Sequence, residues 1–154
     1  MATELLEAIR HHELRELDLS RNQLHDGVCK ALAETLAPMG SLRRLDLSWN
    51  RLHDPSALCA WLETRDCALK ELVLGYNSLG APAAQGVLRL GHAVRANATL
   101  ELLDISFNRI GSEGNRRYTC RGQPQSESCV EFATALPRHV VCCKGTFEAA
   151  SSIL

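Results

Sequence analysis

The chain has 154 residues, of which 45% are hydrophobic and 23% charged, and its formal net charge is -1. This balance is ordinary for one globular domain, and it lacks the excess of positive charge that favours nucleic acid or an anionic membrane surface. No run of residues reaches the length of about 18 apolar residues that a membrane-spanning helix needs. We therefore expect neither nucleic-acid binding nor membrane insertion.

The first predicted element is a short helix within residues 1–13. Leu5, Leu6 and Ile9 form its apolar face, and it leads directly into the first repeated segment. Because the end units of a stacked array need a cover, we interpret residues 1–13 as an N-terminal capping helix or partial repeat. Glu4 and Glu7 stand where a signal peptide would have a basic stretch and an apolar core, so we expect a cytoplasmic or nuclear location.

One segment recurs four times within residues 14–114, and it predicts the architecture. Each copy has the form L-x-x-L-x-L-x-x-N-x-L, with isoleucine sometimes replacing leucine, and the copies occupy residues 14–24, 42–52, 69–79 and 100–110. The leucines of one copy are too few to form a core, so successive copies must stack to bury them. We therefore predict one short strand in each copy and a shared hydrophobic core behind the strands.

The intervals between the copies are long enough for a helix each. The four asparagines of the pattern are 28, 27 and 31 residues apart. In the first interval Val28, Leu32 and Leu36 recur at helical spacing. Asp26 is the predicted N-cap of this helix, and Pro38 is its predicted stop.

The second and third intervals follow the same scheme. In the second, Asp54 is the predicted N-cap and Pro55 occupies the first helical position. In the third, the predicted apolar stripe consists of Val87, Leu90, Gly91 and Val94.

The asparagine of each copy has an architectural explanation. It stands where the chain leaves the strand, and its side-chain amide can both donate and accept hydrogen bonds. We predict that these side chains satisfy backbone groups that the bend leaves unpaired. The residues concerned are Asn22, Asn50, Asn77 and Asn108.

The repeat pattern stops after residue 114. Residues 115–154 contain no fifth copy, and their first half is rich in polar and turn-forming residues. We predict an irregular or disordered tail here, with a C-terminal cap over the last repeat as the alternative. A fourth strand without a neighbour would leave an open edge, and we expect such an exposed last repeat to favour self-association.

The long interval, the L-x-x-L-x-L-S-x-N-x-L segment and the helical return resemble the ribonuclease-inhibitor class of leucine-rich repeats. The resemblance covers about residues 3–113 and is to a class of repeat rather than to one protein. It implies an α/β fold, a short curved solenoid with parallel strands on the concave face and helices on the convex face. It also implies a protein, usually intracellular, that binds other proteins.

The outward positions of the strands and the loops after them form the candidate binding surface. The position before the asparagine holds one arginine and three aromatic residues, which are the types enriched at interface hot spots. Acidic side chains occupy the neighbouring rows, so the surface suits a protein partner with basic and apolar groups. The candidate partner-binding residues are Asp18, Arg21, Arg44, Asp46, Trp49, Glu71, Tyr76, Asp104 and Phe107.

A purely structural explanation of these residues stays open. A large residue before the asparagine can pack along the loop edge and stiffen the stack of repeats. The aspartates can serve only to keep the sheet surface soluble.

Catalytic and metal sites have little support in the sequence. The motifs G-x-x-x-x-G-K-[ST], G-x-G-x-x-G and G-x-S-x-G are missing. His25 and His53 fall in register one repeat apart, but a closed zinc site needs four ligands. The cysteines number 7, an odd count without C-x-x-C, which indicates reduced thiols rather than a disulfide framework. We expect no catalytic residue, no metal and no cofactor.

The sequence favours a protein–protein interaction module, a scaffold or adaptor that binds a partner of unknown identity on its concave face and is not an enzyme. Two alternatives stay open. The first is a regulatory or sensing fragment of a larger receptor or GTPase-activating protein. The second is a truncated splice product with little independent function, which the change of character after residue 114 suggests.

Overall fold

The computed structural model describes residues 13–38, 40–79 and 85–108, together with the backbone of residues 141–142. Strands and helices alternate along the repeats. The elements are β1 Glu16–Asp18, α1 Asp26–Leu36, β2 Arg44–Asp46, α2 Ser56–Leu62, β3 Glu71–Val73, α3 Gln85–Ala96, β4 Leu102–Asp104 and β5 Val141–Cys142. No helix in this part of the chain is long and apolar enough to cross a membrane.

The strands form one open sheet in the order β1-β2-β3-β4-β5, and all neighbouring strands are parallel. The register follows the repeat, since Leu17 pairs with Leu45, Leu45 with Leu72, and Leu72 with Leu103. Neighbouring helices also contact each other. Equivalent positions of successive copies therefore lie side by side, and the predicted α/β solenoid is confirmed.

Leucines from strands and helices fill the space between the sheet and the helices. Leu45, Leu72 and Leu103 at the centres of their strands are completely buried, as are Leu58 of α2 and Leu90 of α3. Burying one such side chain contributes about 1.5–3 kcal/mol, so the shared core holds the repeats together. The predicted stripe of α3 is buried in full: Val87, Leu90, Gly91 and Val94.

The start of the first helix differs from the prediction. α1 begins at Asp26, and His25 is its N-cap residue without a side-chain capping bond. The Asp26 Oδ1 atom instead accepts the backbone N–H groups of His53 and Asp54 at 2.8 and 3.0 Å. The prediction that Asp26 caps its own helix was wrong, because the stacking of the repeats brings the loop of the next repeat within reach of this carboxylate.

The second helix begins one residue later than predicted. Pro55 is the N-cap residue and Ser56 is the first helical residue. Asp54 Oδ1 accepts the N–H of Ser56 at 2.9 Å. The carboxylate therefore bonds to the first helical residue from the position before the N-cap residue. The end of the first helix agrees with the prediction, because α1 ends at Leu36, two residues before Pro38.

The asparagines of the pattern connect each repeat to the one before it. Asn50 Oδ1 accepts the N–H of Leu24 at 2.8 Å, and Asn50 Nδ2 donates to the carbonyl of Leu19 at 3.0 Å. Asn77 and Asn108 make equivalent bonds to the backbone one repeat back. The prediction that these amides satisfy backbone groups is confirmed, and the bonds also cross between repeats.

The two ends of the chain fall largely outside the described residues. The predicted capping helix in residues 1–13 does so except for Glu13, and residues 115–154 do so except for the backbone of residues 141–142. That backbone forms β5, in which Val141 pairs with Leu102 and Cys142 with Leu103. The expectation that β4 has no neighbouring strand was wrong, because β5 of the same chain pairs with it. Self-association through the last repeat stays a prediction.

Candidate functional site

The residue before each asparagine has a left-handed backbone conformation. The φ angle is 60° at Arg21 and 56° at each of Trp49, Tyr76 and Phe107. This conformation costs a residue with a side chain about 1–2 kcal/mol. The N–H groups of Trp49 and Tyr76 donate to the carbonyls of Gly75 and Ser106 at 2.9 and 2.8 Å, which holds the loops of neighbouring repeats in line.

Three aromatic side chains stack in a column, the aromatic ridge, formed by Trp49, Tyr76 and Phe107. The ring centroids of Trp49 and Tyr76 are 3.8 Å apart with an interplanar angle of 11°. Those of Tyr76 and Phe107 are 4.1 Å apart with an angle of 12°. The Arg21 guanidinium carbon lies 5.2 Å from the centroid of the Trp49 ring, within range of a cation–π interaction. The sheet sets these spacings, because its strands lie roughly 4.8 Å apart.

The aromatic ridge stays exposed although its rings are stacked. The exposed fractions are 48% for Trp49, 37% for Tyr76 and 46% for Phe107. Rings cover both faces of Tyr76, so its exposed surface lies mainly at the ring edge, whereas Trp49 and Phe107 each stack on one ring of the column. The ridge therefore joins the loops of successive repeats and also presents apolar surface to solvent. Both explanations that the sequence left open have a physical basis here.

The aspartates of the neighbouring row close turns at the strand ends. In each, Oδ1 accepts the N–H of the serine two residues later, at 2.8, 2.9 and 2.8 Å for Asp18, Asp46 and Asp104 respectively. The bond from the backbone of Ser20 holds the pKa of Asp18 below its usual value, because the ionised carboxylate is the better acceptor. These aspartates thus have a structural function in addition to their charge.

The third repeat departs from this row. Val73 stands where the other copies have aspartate, and Gly75 stands where they have serine. A Cβ atom on Gly75 would lie 3.1 Å from Ser106 Oγ and 3.5 Å from Asp104 Oδ2, so a larger residue would crowd the next repeat. The replacement of Asp-x-Ser by Val-x-Gly in the third copy is visible in the sequence, but neither residue is among the predicted binding residues.

Ion pairs lie on and beside the strand face, which we define as the surface formed by the outward side chains of β1–β4. Two of them, Arg44–Glu71 and Lys70–Glu101, join neighbouring repeats, and Arg44–Asp46 lies within β2. Arg44 Nη1 lies 2.7 Å from Glu71 Oε2, and Arg44 Nη2 lies 3.6 Å from Asp46 Oδ2. Lys70 Nζ lies 2.6 Å from Glu101 Oε1. The Arg44–Glu71 and Lys70–Glu101 pairs are exposed, so each contributes about 0–1 kcal/mol and leaves its charges accessible to a partner. The Asp46 side chain is only 14% exposed.

The structure brings the candidate residues into two adjacent rows and one ion pair. The ridge and Arg21 form one row, and the aspartates form the other, broken at Val73. Arg44 and Glu71 pair with each other, and Arg44 also approaches Asp46. Their binding role stays a prediction. Two apolar residues of the same outward rows, Val73 and Leu102, are not among the candidates, and each is half-buried.

The buried cysteines offer no nucleophile at neutral pH. Cys29, Cys59 and Cys67 are buried free thiols. Burial raises the pKa of Cys29 and of Cys59 to about 12; the negative charge of Asp26 adds to this at Cys29, whereas Arg89 opposes it at Cys59. Such thiols stay protonated and unreactive. Over the residues that the structure describes, no three His, Cys, Asp or Glu side chains form a group that could hold a metal ion.

The geometry defines a solenoid of strand–helix repeats that are joined through asparagine side chains. Comparison with protein families agrees, because the family model described as Leucine Rich repeat matches residues 11–33, 41–59 and 96–114. This chain is a leucine-rich-repeat protein.

Two curated proteins are similar to this chain over most of its length. It is 38% identical over 130 residues to NACHT, LRR and PYD domains-containing protein 12 of Mus musculus. The protein of that name in Homo sapiens is also 38% identical over 130 residues. Each alignment covers 77% of this chain, and the chain spans 12% of the length of each relative.

Proposed function

We propose that this chain is a protein-interaction module that binds a protein partner on its strand face and the adjoining aromatic ridge. The observation that carries the proposal is the aromatic ridge, in which three stacked rings lie exposed in a row beside acidic side chains. Aromatic residues dominate the hot spots of protein interfaces, and contiguous exposed apolar surface marks interaction sites. The leucine-rich-repeat fold supports the same function.

The backbone of the ridge adds support to a binding role. Glycine or asparagine would adopt the left-handed conformation at lower cost than Trp49, Tyr76 or Phe107. Stacking returns about 0.5–1.5 kcal/mol for each pair of rings, which offsets part of that cost. Strained residues that persist at a surface are often functional. The chain keeps three large rings in strained positions and leaves them accessible.

A binding function also suits the chemistry of the surface better than catalysis does. Arg44 and Glu71 neutralise each other, and the Asp46 and Asp104 carboxylates hold turns. The buried thiols of Cys29 and Cys59 stay protonated at neutral pH. We therefore propose a non-enzymatic module.

The test is quantitative affinity capture with the wild-type chain and a variant that lacks the ridge. In the variant, Trp49, Tyr76 and Phe107 are all replaced by Asn, which removes the rings but tolerates a positive φ angle. The matched control replaces three exposed residues of the helices, Lys30 and Glu34 of α1 and Arg89 of α3, by Ala.

We expect partners that bind the wild type and the helix control to be lost from the ridge variant. Circular dichroism and a cooperative thermal transition confirm that each variant is folded. Retention of every partner by a folded ridge variant would contradict the proposal.

A second proposal places the module in a larger protein. The relatives are named for NACHT, LRR and PYD domains, and the chain matches a segment equal to 12% of their length. We propose that the repeats act as the partner-binding part of a sensing protein of that kind. A chimera in which this chain replaces the matching segment of the mouse relative should capture the same partners as the chain alone. Capture of nothing in either context favours a product with little independent function.

We also infer an intracellular location. Asn97-Ala98-Thr99 matches a glycosylation acceptor, but Asn97 is buried and its amide donates to the carbonyl of Leu62 at 2.8 Å. A glycan on this side chain would disrupt that contact. Three buried cysteines are free thiols, as in reducing compartments. Fractionation of cells that express the epitope-tagged chain should place it in the cytosol or nucleus, and recovery in the medium would oppose this inference.

A further inference from the structure

The departure of the third repeat creates a small apolar patch on the strand face. Val73 takes the place of an aspartate, and it pairs in the sheet with Asp46 on one side and with Asp104 on the other. Leu102 of β4 also points outward, at the position that Glu71 occupies in β3. Val73 and Leu102 are both half-buried, so part of each side chain reaches solvent.

We propose that this patch and the adjoining ridge bind a protein segment that presents an arginine or lysine next to a large apolar side chain. The inference rests on the proposed function and names the chemistry of its partner. The aliphatic stem of the basic residue would lie on Val73 and Leu102, and its charged group would reach Asp46 or Asp104. The neighbouring apolar side chain would pack against the edges of Tyr76 and Phe107.

The charges around the patch favour a cation. Sheet pairing places the carboxylates of Asp46 and Asp104 beside Val73. It also places the Glu71 carboxylate beside Leu102 and the Arg44 guanidinium beside Glu71. Lys70 and Glu101, one position earlier, pair with each other and add no net charge. Arg44 lies 2.7 Å from Glu71 and 3.6 Å from Asp46, so its charge is already shared between two acids. The surroundings of Val73 therefore have an excess of negative charge. A long basic side chain matches an apolar floor with an acidic border, because its stem is apolar and its end is charged.

The stacking of the ridge limits which chemical groups of a partner can contact its rings. The faces of an aromatic ring attract cations, but the face of Tyr76 towards Trp49 and that towards Phe107 are both covered by these rings. A basic group of the partner is therefore directed to the carboxylates rather than to the centre of the column. The exposed ring edges suit an aliphatic or aromatic side chain instead.

The experiment selects random linear peptides displayed on phage against the purified full-length chain. Enriched sequences are synthesised, and their affinities are measured against four proteins. These are the wild type, the ridge variant with three asparagines, the double variant Asp46→Asn and Asp104→Asn, and the single variant Asp54→Asn.

The asparagine substitutions are matched to the structure. Asn keeps the Oδ1 acceptor that closes the turn with Ser48 or Ser106, so it removes the charge without removing the turn. Asp54 closes the same kind of turn with Ser56 at 2.9 Å, but it lies in the loop before α2 and not on the strand face. Asp54→Asn therefore controls for the chemistry of the substitution away from the proposed binding surface.

We expect the enriched peptides to carry Arg or Lys within two positions of a large apolar residue. Their affinity should fall about tenfold in the double aspartate variant, less than about twofold in Asp54→Asn, and to background in the ridge variant. Binding should also weaken as ionic strength rises, because the contact between the charges is exposed.

Several outcomes would overturn the inference. Enrichment of acidic or uncharged peptides would do so, as would an unchanged affinity in the double aspartate variant or the absence of any enrichment above the ridge variant. Peptides that depend on the ridge but not on Asp46 and Asp104 would contradict this inference and leave the proposed function standing. Peptides that depend on neither would contradict both. Dimerisation of the chain that is lost in the ridge variant would assign the surface to a second copy instead.

Discussion

The side-chain amide of Asn77 bonds to the backbone of Leu47, one repeat back in the sequence. Asn77 Nδ2 donates to the carbonyl of Leu47 at 2.9 Å, and Asn77 Oδ1 accepts the N–H of Leu52 at 3.0 Å. The same Nδ2 donates to the carbonyl of Leu74 at 2.9 Å in its own repeat. One buried side chain therefore bonds to the backbone of two successive repeats.

Replacement of this side chain should be strongly destabilising. Asn77→Ala leaves the buried N–H of Leu52 unsatisfied, which costs about 1–3 kcal/mol. It also removes one of the two donors that reach each of the carbonyls of Leu47 and Leu74. We expect a loss of about 3–5 kcal/mol in the free energy of unfolding, measured by urea denaturation. Asn22→Ala is the matched control, because Asn22 occupies the same position of the pattern but is exposed. Its loss should stay below about 1.5 kcal/mol, and equal losses at the two positions would contradict the explanation.

The left-handed backbone at Tyr76 predicts an inverted preference between glycine and alanine. Both Tyr76→Gly and Tyr76→Ala remove the ring, but only glycine adopts a φ angle of 56° without strain. The glycine variant should therefore be more stable than the alanine variant by about 1 kcal/mol. Thermal and urea unfolding of the two variants measure the difference.

The control for this prediction lies in a helix. Ala60 is an exposed residue of α2, where glycine is unfavourable. Ala60→Gly should lower stability by about 0.5–1 kcal/mol, the opposite sign from position 76. If alanine is also preferred to glycine at position 76, the strain at that loop is too small to matter.

Two glycines at the second position of their helices should respond in opposite directions to alanine. A Cβ atom on Gly86 of α3 would lie 2.8 Å from Cδ of Pro55, whose ring cannot rotate away. A Cβ atom on Gly27 of α1 would lie 3.5 Å from the His25 side chain, which is ordinary contact. Gly86→Ala should therefore destabilise by about 1–3 kcal/mol, and Gly27→Ala should stabilise by up to about 1 kcal/mol. Melting temperatures of the two variants measure these changes in stability. A stabilising Gly86→Ala would show that Pro55 and the start of α3 can move apart to admit a Cβ atom.

The buried thiol of Cys29 predicts a loss of stability at alkaline pH. Burial, with a contribution from the charge of Asp26, raises its pKa from 9.0 to about 12, so the folded protein holds the proton more tightly than the unfolded chain does. The stabilisation is complete below the unfolded pKa and declines as pH rises from about 9 towards 12. Urea unfolding between pH 7 and pH 11, roughly, should show a steeper decline for the wild type than for Cys29→Ala. Parallel declines would mean that this thiol does not contribute.

The sequence predicts the repeat architecture because the pattern reports it directly. Leu45, Leu72 and Leu103 fall at equivalent positions of their copies, and equivalent positions pair in the sheet. The asparagine ladder follows from the same periodicity, since Asn77 can reach only what the register places beside it.

The finer features depend on distances that a linear pattern does not contain. The bonds from Asp26 to the backbone of the next repeat require the loops to lie side by side, and no local signal distinguishes them from a helix cap. The aromatic ridge was expected as a row, but its stacking depends on a left-handed backbone that is unusual for Trp49 or Tyr76. β5 was not predicted because Val141 and Cys142 belong to no copy of the leucine pattern.

The asparagine bonds also affect the order in which the repeats can fold during synthesis. The N–H of Leu24 is satisfied by Asn50, that of Leu52 by Asn77, and that of Leu79 by Asn108. Each repeat thus receives a bond that its backbone needs from residues that the ribosome has not yet added. During synthesis, a newly made repeat stays incomplete until the next one emerges, so cotranslational folding should lag the growing end by about one repeat.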